Sequence, residues 1–236
     1  NVRAAPEAGK RSRGELVNRA LAGHAADAVG SEGAYGSYNL LHGTLSQGSS
    51  DLKLSTHAPP NSAASTATLP AQRPLIAAKS NDHGGGWTQS SSDPLDECTW
   101  PKCHYVSTEL ESVLAHGGRE ARGEAGARLL LEAMQPVLSA KALPEPFGSR
   151  AAAWTPSKVN HLPVDVELKL QASPFVEPFE LPGRSNGVVG VGSDDFTYGT
   201  VSQSFLAQCR SEGCVFYAYR AAPDWTWKWR RVCGVG

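Results

Sequence analysis

The C-terminal run of the chain carries its strongest structural signal, and it reads Cys214-Val-Phe-Tyr-Ala-Tyr-Arg-Ala-Ala-Pro-Asp-Trp-Thr-Trp-Lys-Trp-Arg-Arg-Val-Cys233. Tryptophans alternate with polar residues in its second half, which is the period-2 pattern of a β-strand. Val215–Arg220 is a second aromatic, β-prone run, and Ala221–Asp224 supplies a four-residue turn that contains proline. The sequence therefore predicts an antiparallel hairpin over residues 214–233.

The symmetric register of this hairpin divides its aromatic side chains between two faces. Phe216 lies opposite Trp229 on one face, and Tyr217 lies opposite Lys228 on the other. A row of three indoles can form the core of a small β domain, contact a protein partner, or form a platform for a small ligand. The candidate binding residues are Trp225, Trp227, Trp229, Phe216, Tyr217 and Tyr219.

The composition restricts the class of protein. The 236 residues include 24 Gly and 16 Pro, only 19% are charged, and the net charge is −1. This balance gives no electrostatic reason to expect nucleic acid as a partner or a membrane surface as a site. No apolar run approaches the ~20 residues that span a bilayer. We expect a loop-rich α+β fold without a transmembrane segment.

Changes in composition along the chain predict three regions. Residues 1–43 form an N-terminal segment with an amphipathic helix over Arg13–Val29, followed by a Gly/Tyr turn segment. Residues 44–80 are a linker or extended segment, because Ser, Thr, Ala and Pro dominate and no apolar period is visible. Residues 81–236 form the main α+β domain. From Thr44 to Ala71 we expect no independent fold.

Within the main domain, the spacing of apolar residues predicts a short helical hairpin over about residues 107–135. Thr108 and Glu111 have the spacing of a capping box, and Pro136 ends the second helix.

Three further elements are predicted from local patterns in the same region. Val164–Leu170 alternates and predicts a strand, Gly187–Val191 predicts a second, and Val201–Gln208 predicts a short helix.

The five cysteines fall into two close groups, which favours disulfides and an oxidising compartment, either extracytoplasmic or within an organelle lumen. Cys98 and Cys103 are close enough to bond to each other across a proline-bent loop. Cys233 is predicted to bond either to Cys209 or to Cys214, which leaves one of the five thiols unpaired.

The segment Cys98-Thr-Trp-Pro-Lys-Cys103-His104 resembles the rare form of the c-type haem attachment motif, with four intervening residues. That resemblance implies an axial imidazole from His104 and Met134 as the sixth ligand. A zinc site from Cys98, Cys103, His104 and His116 is a further alternative. The disulfide is the preferred interpretation, so we expect neither a cofactor nor a metal ion.

Two glycine-rich segments resemble loops that carry chemistry in other proteins. His83–Trp87 resembles the oxyanion loop of lipase and esterase hydrolases, but the chain lacks the Gly-x-Ser-x-Gly elbow that this chemistry requires. Gly187–Asp195 lacks the spacing of a nucleotide-binding loop, and its two terminal aspartates are read as solvated. No complete catalytic constellation is present, so we expect a protein that is not an enzyme.

The order of elements at the C-terminal end resembles the apple/PAN module. The matching positions are Cys209, Gly213-Cys214-Val-Phe216 and Cys233. That resemblance implies a secreted or lumenal module that binds carbohydrate or protein through the aromatic hairpin. The first functional expectation is instead a structural or linker subunit that stabilises a larger complex of protein subunits, because extended, Pro/Gly/Ser-rich segments often lie on a partner. The third alternative is a c-type haem electron carrier.

Overall fold

A computed structural model describes residues 38–45, 50–57, 65–68, 76, 78, 80, 100–117, 122–153, 164–181, 196–209 and 212–233. The chain divides into two compact units, Asn1–Arg73 and Pro74–Gly236. Several predictions lie outside the described residues: the helix over 13–29, the glycine loop over 83–87, the strand over 187–191 and the position of Cys98. The α+β class predicted from the sequence is confirmed.

The first unit contains an antiparallel three-stranded sheet in the order β1-β2-β3. Its strands are β1 (Tyr38–Leu45), β2 (Ser50–His57) and β3 (Ser65–Thr68). The register aligns Leu41 with Leu54, and Leu54 with Ala67. The segment from Thr44 to Ala71, for which no independent fold was predicted, contains the end of β1 and all of β2 and β3. Polar and apolar residues alternate briefly within Asp51–His57, which is a strand pattern. The Ser- and Thr-rich sequence around it makes this pattern difficult to recognise.

The second unit contains two long helices, α1 (Pro101–Gly117) and α2 (Gly123–Leu138). The predicted helical hairpin is present, but α1 begins seven residues before Thr108. Pro101 occupies the first turn, where its missing N–H costs nothing. Pro136 does not end α2, because it lies in the last turn and the helix ends two residues later. Within the described segments, no helix is long and apolar enough to cross a membrane.

The run that was predicted as a strand is the short helix α4 (Val164–Gln171), which follows α3 (Phe147–Ala153). Its apolar residues satisfy both the strand and the helix period, so local alternation gave the wrong answer. Val166 and Leu170 are buried, with Glu167 and Gln171 beside them on the same helical stripe. The Gln171 side-chain amide donates to the carbonyl of Ala151 at 3.1 Å, which joins α4 to α3.

The C-terminal part contains two antiparallel sheets. The smaller pairs β4 (Phe179–Leu181) with β5 (Phe196–Tyr198). The larger has the order β6-β7-β8, with β6 (Ser202–Cys209), β7 (Cys214–Ala221) and β8 (Lys228–Cys233). The helix predicted over Val201–Gln208 was wrong, because that segment is β6. Its exposure alternates from Ser202 to Ala207, as expected for a strand with one face packed on a core.

Among the described residues, buried side chains form three apolar clusters. One lies between α1 and α4 and includes Trp100, Val166 and Leu170. The second lies where α1, α2 and α3 meet. The third lies between α2 and the larger sheet, where Ala127 packs on Phe216 and Trp229 covers its side. This third cluster places the C-terminal strands against α2, and a surface groove follows from that packing.

The groove between helix α2 and the C-terminal sheet

An open groove of about 340 Å³ lies between α2 and the aromatic end of the larger sheet, and we call it the aromatic groove. Its helical side consists of residues spaced three or four apart, which share one face of a helix. Its other side consists of two indoles. The lining residues are Arg128, Leu131, Glu132, Gln135, Trp227 and Trp229.

Arg128 is positioned at the groove by two contacts. Its guanidinium lies 4.6 Å from the centroid of the Trp229 ring, which is a cation–π distance. The carboxylate of Glu124, one turn earlier on α2, accepts a hydrogen bond from Arg128 at 2.8 Å. The Arg128 side chain nevertheless remains about half exposed, with 51% of its surface accessible. A guanidinium held in this way is oriented before any ligand arrives.

Arg220 lies behind the groove and is buried, with 7% of its surface accessible. Its guanidinium donates to the Gln203 side chain at 2.8 Å, to Gln135 at 3.1 Å and to Ser139 at 3.0 Å. All three acceptors are neutral. Burial lowers the pKa of Arg220 from its ordinary value, because the charged form has lost water. No acidic side chain pairs with Arg220 among the described residues.

Gln203 fixes the position of Arg220. The Gln203 side-chain amide donates to the carbonyls of Leu138 at 2.7 Å and Pro174 at 3.3 Å. Its oxygen is thereby left to accept from Arg220 on the neighbouring strand. This side chain therefore joins the C-terminal end of α2 to both β6 and β7.

The indoles of Trp225 and Trp227 lie over the Arg220 guanidinium, at 5.8 and 4.7 Å from its centre. Trp225 also makes an edge-to-face contact with Phe175, with ring centroids 4.8 Å apart. Its backbone adopts a left-handed φ of 52°, which takes it out of the strand conformation. Only Trp229 of the three lies within β8, so the predicted single row of indoles along one strand is not formed.

The register of the hairpin also differs from the symmetric one. Trp229 pairs with Ala218, two residues from the predicted partner, because the connection runs from residue 222 to 227. A shift of two residues preserves the face of every side chain. Phe216 is therefore on the α2 side, in the core, whereas Tyr217 and Tyr219 are on the opposite face. The candidate binding residues thus divide between the groove, the core and a second sheet face.

The disulfide joins Cys214 to Cys233, the paired ends of β7 and β8. This is one of the two connections predicted for Cys233. Cys209 lies opposite Cys214 on β6. Cys103 is buried in the first turn of α1, and its predicted partner Cys98 lies outside the described residues.

The haem and zinc alternatives depended on the region around His104. That imidazole is buried in α1 and lies 5.5 Å from the Phe147 ring. Met134 is buried in the cluster between α1, α2 and α3, where it packs as a core residue. In the part of the chain that the structure describes, no three His, Cys, Asp or Glu side chains are grouped to hold a metal ion.

Sequence reasoning missed the polar side chains that support the groove: Arg128, Gln135, Gln203 and Arg220. One signal was available. Residues 216, 218 and 220 share the inward face of β7, so alternation alone places a charged side chain in the core at Arg220. The partners of Arg220 are far away in the sequence and have no local signature.

The connection between β7 and β8 contains Asp224, whose pKa is shifted for a clear physical reason. The backbone N–H of Thr226 donates to the carboxylate of Asp224, which lowers the pKa of Asp224 below its ordinary 3.8. Because the ionised carboxylate is favoured in the folded state, Asp224 stabilises the fold. This contribution is complete above pH 3.8 and is lost as the pH falls through the lower, folded-state pKa.

We expect NMR titration of the Asp224 carboxyl carbon to give a pKa below 3.8 in the native chain. Thr226→Pro removes the N–H donor and should return the pKa toward its ordinary value. Thr226→Ala keeps the N–H and loses only the hydroxyl, which lowers the pKa less than the N–H does, so the pKa should rise only in part. A native carboxyl that titrates at 3.8 or higher would contradict this assignment.

Comparison with known proteins adds one finding to this geometry. Residues 1–221 match the family described as Transport and Golgi organisation 2 (TANGO2). No curated protein and no solved structure matches the chain. The match spans both units and ends at the last residue of β7.

This match overturns the functions predicted from the sequence. A family described by transport and Golgi organisation does not agree with any of the three predicted functions. These were a structural linker subunit, a secreted or lumenal apple/PAN-like module and a c-type haem carrier. The expectation of an extracytoplasmic structural protein is wrong for the same reason. By the extent of the match, the chain belongs to the Transport and Golgi organisation 2 family.

Proposed function

We propose that this chain serves transport and Golgi organisation by binding a small amphipathic organic anion in the aromatic groove. The ligand class is an apolar body with one carboxylate or phosphate group. The observation that carries the proposal is the buried guanidinium of Arg220 behind the groove, which has only neutral partners among the described residues. Buried charges in proteins are usually paired, so an unpaired one needs an explanation.

The donor count of Arg220 supports an anionic ligand. A guanidinium has five N–H donors. Two hydrogen bonds to Gln203, one to Ser139 and one to Gln135 use four of them. The remaining N–H is on Nη1, the nitrogen that already reaches Gln135 on the groove wall. An oxyanion beside Gln135 would be attracted by this charge and by the exposed guanidinium of Arg128.

The walls of the groove support an apolar body for the ligand. Small-molecule sites commonly measure 300–1,000 Å³ and combine apolar or aromatic walls with a few polar groups. The aromatic groove, at about 340 Å³, lies at the small end of that range. Leu131 and the two indoles provide the apolar wall.

Glu132 favours a ligand with a single anionic group. Its carboxylate is exposed on the groove wall, one turn beyond Arg128, and forms no ion pair within the described residues. A second negative group on the ligand would be repelled there. Selectivity for ligands with one anionic group over ligands with two separate anionic groups follows from this arrangement.

We further propose that the chain acts by binding rather than by catalysis. The side chains that line the groove include no nucleophile beside a general base, which covalent catalysis requires.

The direct test is a binding titration monitored by the indole N–H signals of Trp227 and Trp229. The probes are naphthoate, naphthyl phosphate and neutral naphthamide, which share one ring system. We expect the better of the two anions to bind roughly tenfold more tightly than the amide, since a charge-assisted hydrogen bond contributes about 1.5–3 kcal/mol. The two anions distinguish a carboxylate from a phosphate site.

Arg128→Gln should abolish most of the preference for the anion. The matched control is Arg150→Gln, on α3, whose guanidinium stacks on Phe147 and is not part of the groove. Equal affinity for anions and amide, or identical behaviour of the two variants, would refute the proposal.

A further inference from the structure

The outer edge of β8 has the features of a docking edge for a protein strand. β8 pairs with β7 on one side and with no other strand among the described residues. Its six residues are exposed except for the half-buried Trp229. An edge of this kind presents a row of unpaired N–H and C=O groups to which another chain can add.

The charges of β8 indicate what could add there. Lys228, Arg230 and Arg231 are three cations among six residues. Lys228 lies 3.9 Å from Asp224, and Arg231 lies 3.4 Å from Glu212. Arg230 is exposed and has no acidic partner within the described residues. The edge therefore carries net positive charge that its own surroundings only partly neutralise.

The opposite edge of the same sheet provides a contrast. β6 contains no charged residue in its eight positions. Cations on an edge strand prevent self-association, because two copies that pair through it bring like charges together. A second copy of this chain is thus disfavoured at β8, whereas a strand of opposite charge is favoured.

The two faces of β8 define the pattern of such a strand. Lys228, Arg230 and Val232 share the face that carries Tyr217 and Tyr219. Trp229 and Arg231 share the α2 side, beside Phe216. An added strand alternates its side chains between the same two faces. Acidic residues at every second position would meet Lys228 and Arg230, and apolar residues between them would lie next to Trp229.

We infer that β8 binds an extended segment of a partner protein in which acidic and apolar residues alternate, and that this segment adds to the sheet as a fourth strand. The inference is independent of the ligand in the aromatic groove. It needs only the exposed edge and its charge.

The test uses the full chain and a capped peptide of alternating glutamate and valine. We expect binding that slows amide hydrogen exchange at alternate residues of β8, because half of the amides point outward from an edge strand. Two N-methylated peptides, one modified at every glutamate and one at every valine, should differ. One should bind and the other should not, since only one set of amides faces β8.

Arg230→Glu should weaken binding roughly tenfold, because it replaces an attractive cross-strand pair by a repulsive one. Arg150→Glu, on α3, makes the same charge change away from the sheet and should have no effect. Naphthoate binding in the aromatic groove should be the same in both variants, which separates this inference from the proposed function.

Four results would overturn the inference. The glutamate–valine peptide could fail to bind, the two N-methylated peptides could bind equally, or Arg230→Glu could bind as well as Arg150→Glu. Protection of β8 amides in a dimer of the free chain would also overturn it, because a second copy would then occupy the edge.

Discussion

The Gln203→Leu variant should lose about 2–4 kcal/mol of its free energy of unfolding, because leucine leaves the buried Arg220 guanidinium without its principal acceptor. Gln203 accepts from Arg220 through both Nε and Nη2, and its own amide binds the carbonyl of Leu138. All of these bonds are lost together. Chemical denaturation monitored by circular dichroism measures the change.

Gln208→Leu is the matched control for this prediction. Gln208 is half-buried on the same strand and makes no side-chain hydrogen bond among those described. Its replacement should change the free energy of unfolding by less than about 0.5 kcal/mol. Similar losses for the two variants would show that Arg220 does not depend on Gln203.

The second large effect is expected from Phe216→Ala. Phe216 is 1% exposed and packs with Ala127 of α2 and Cys214. Removing the ring leaves a cavity between α2 and the sheet, which should cost about 3–5 kcal/mol. Thermal or chemical unfolding of the variant gives this value directly.

Tyr217→Ala is the control on the opposite face of β7. Tyr217 is only half-buried, and its hydroxyl lies 3.1 Å from that of Ser204 on the exposed side. We expect a loss of roughly 1 kcal/mol or less. If Tyr217→Ala were the more damaging of the two, the face assignment of the whole hairpin would be wrong.

This pair of variants also tests what the sequence could predict about the hairpin. Alternation correctly separated Phe216 from Tyr217, because parity depends only on the strand itself. The register was wrong by two residues because the turn was taken as four residues. Asp224 binds the N–H of Thr226, and this local bond extends the connection to residue 227.

Two other predictions were wrong for a different reason: α4 was predicted as a strand and β6 as a helix. In α4, the apolar residues at every second position fit either period, and Val164 is in fact 56% exposed. Gln171 is buried and donates to the carbonyl of Ala151 on α3, which is a contact between two helices. In β6, strand formation depends on pairing with β7. Tertiary contacts of this kind cannot be predicted from the sequence of a short segment alone.

The candidate site could be predicted only in part. Its aromatic side was evident from the tryptophan pattern. Its polar side was not, because Arg220 reaches Gln135 across 85 residues and Ser139 across 81. Nothing in either segment alone indicates that the two meet.

We propose that Trp227 forms the wall of a ligand site that serves transport and is not the core of a β domain. Trp227 is half-buried, lies over Arg220 and lines the aromatic groove. Trp227→Ala should therefore lower the free energy of unfolding by only about 1–2 kcal/mol, mainly through the lost cation–π contact. The protein should remain folded.

The decisive measurement is the rate of secretory cargo transit through the Golgi, in cells that lack their own family member and express Trp227→Ala at the native level. Thermal unfolding of the purified variant is measured in parallel. We predict a folded protein that fails to restore cargo transit, while Arg150→Gln restores it. A variant that is unfolded, or one that restores transit as well as the native chain, would contradict the claim.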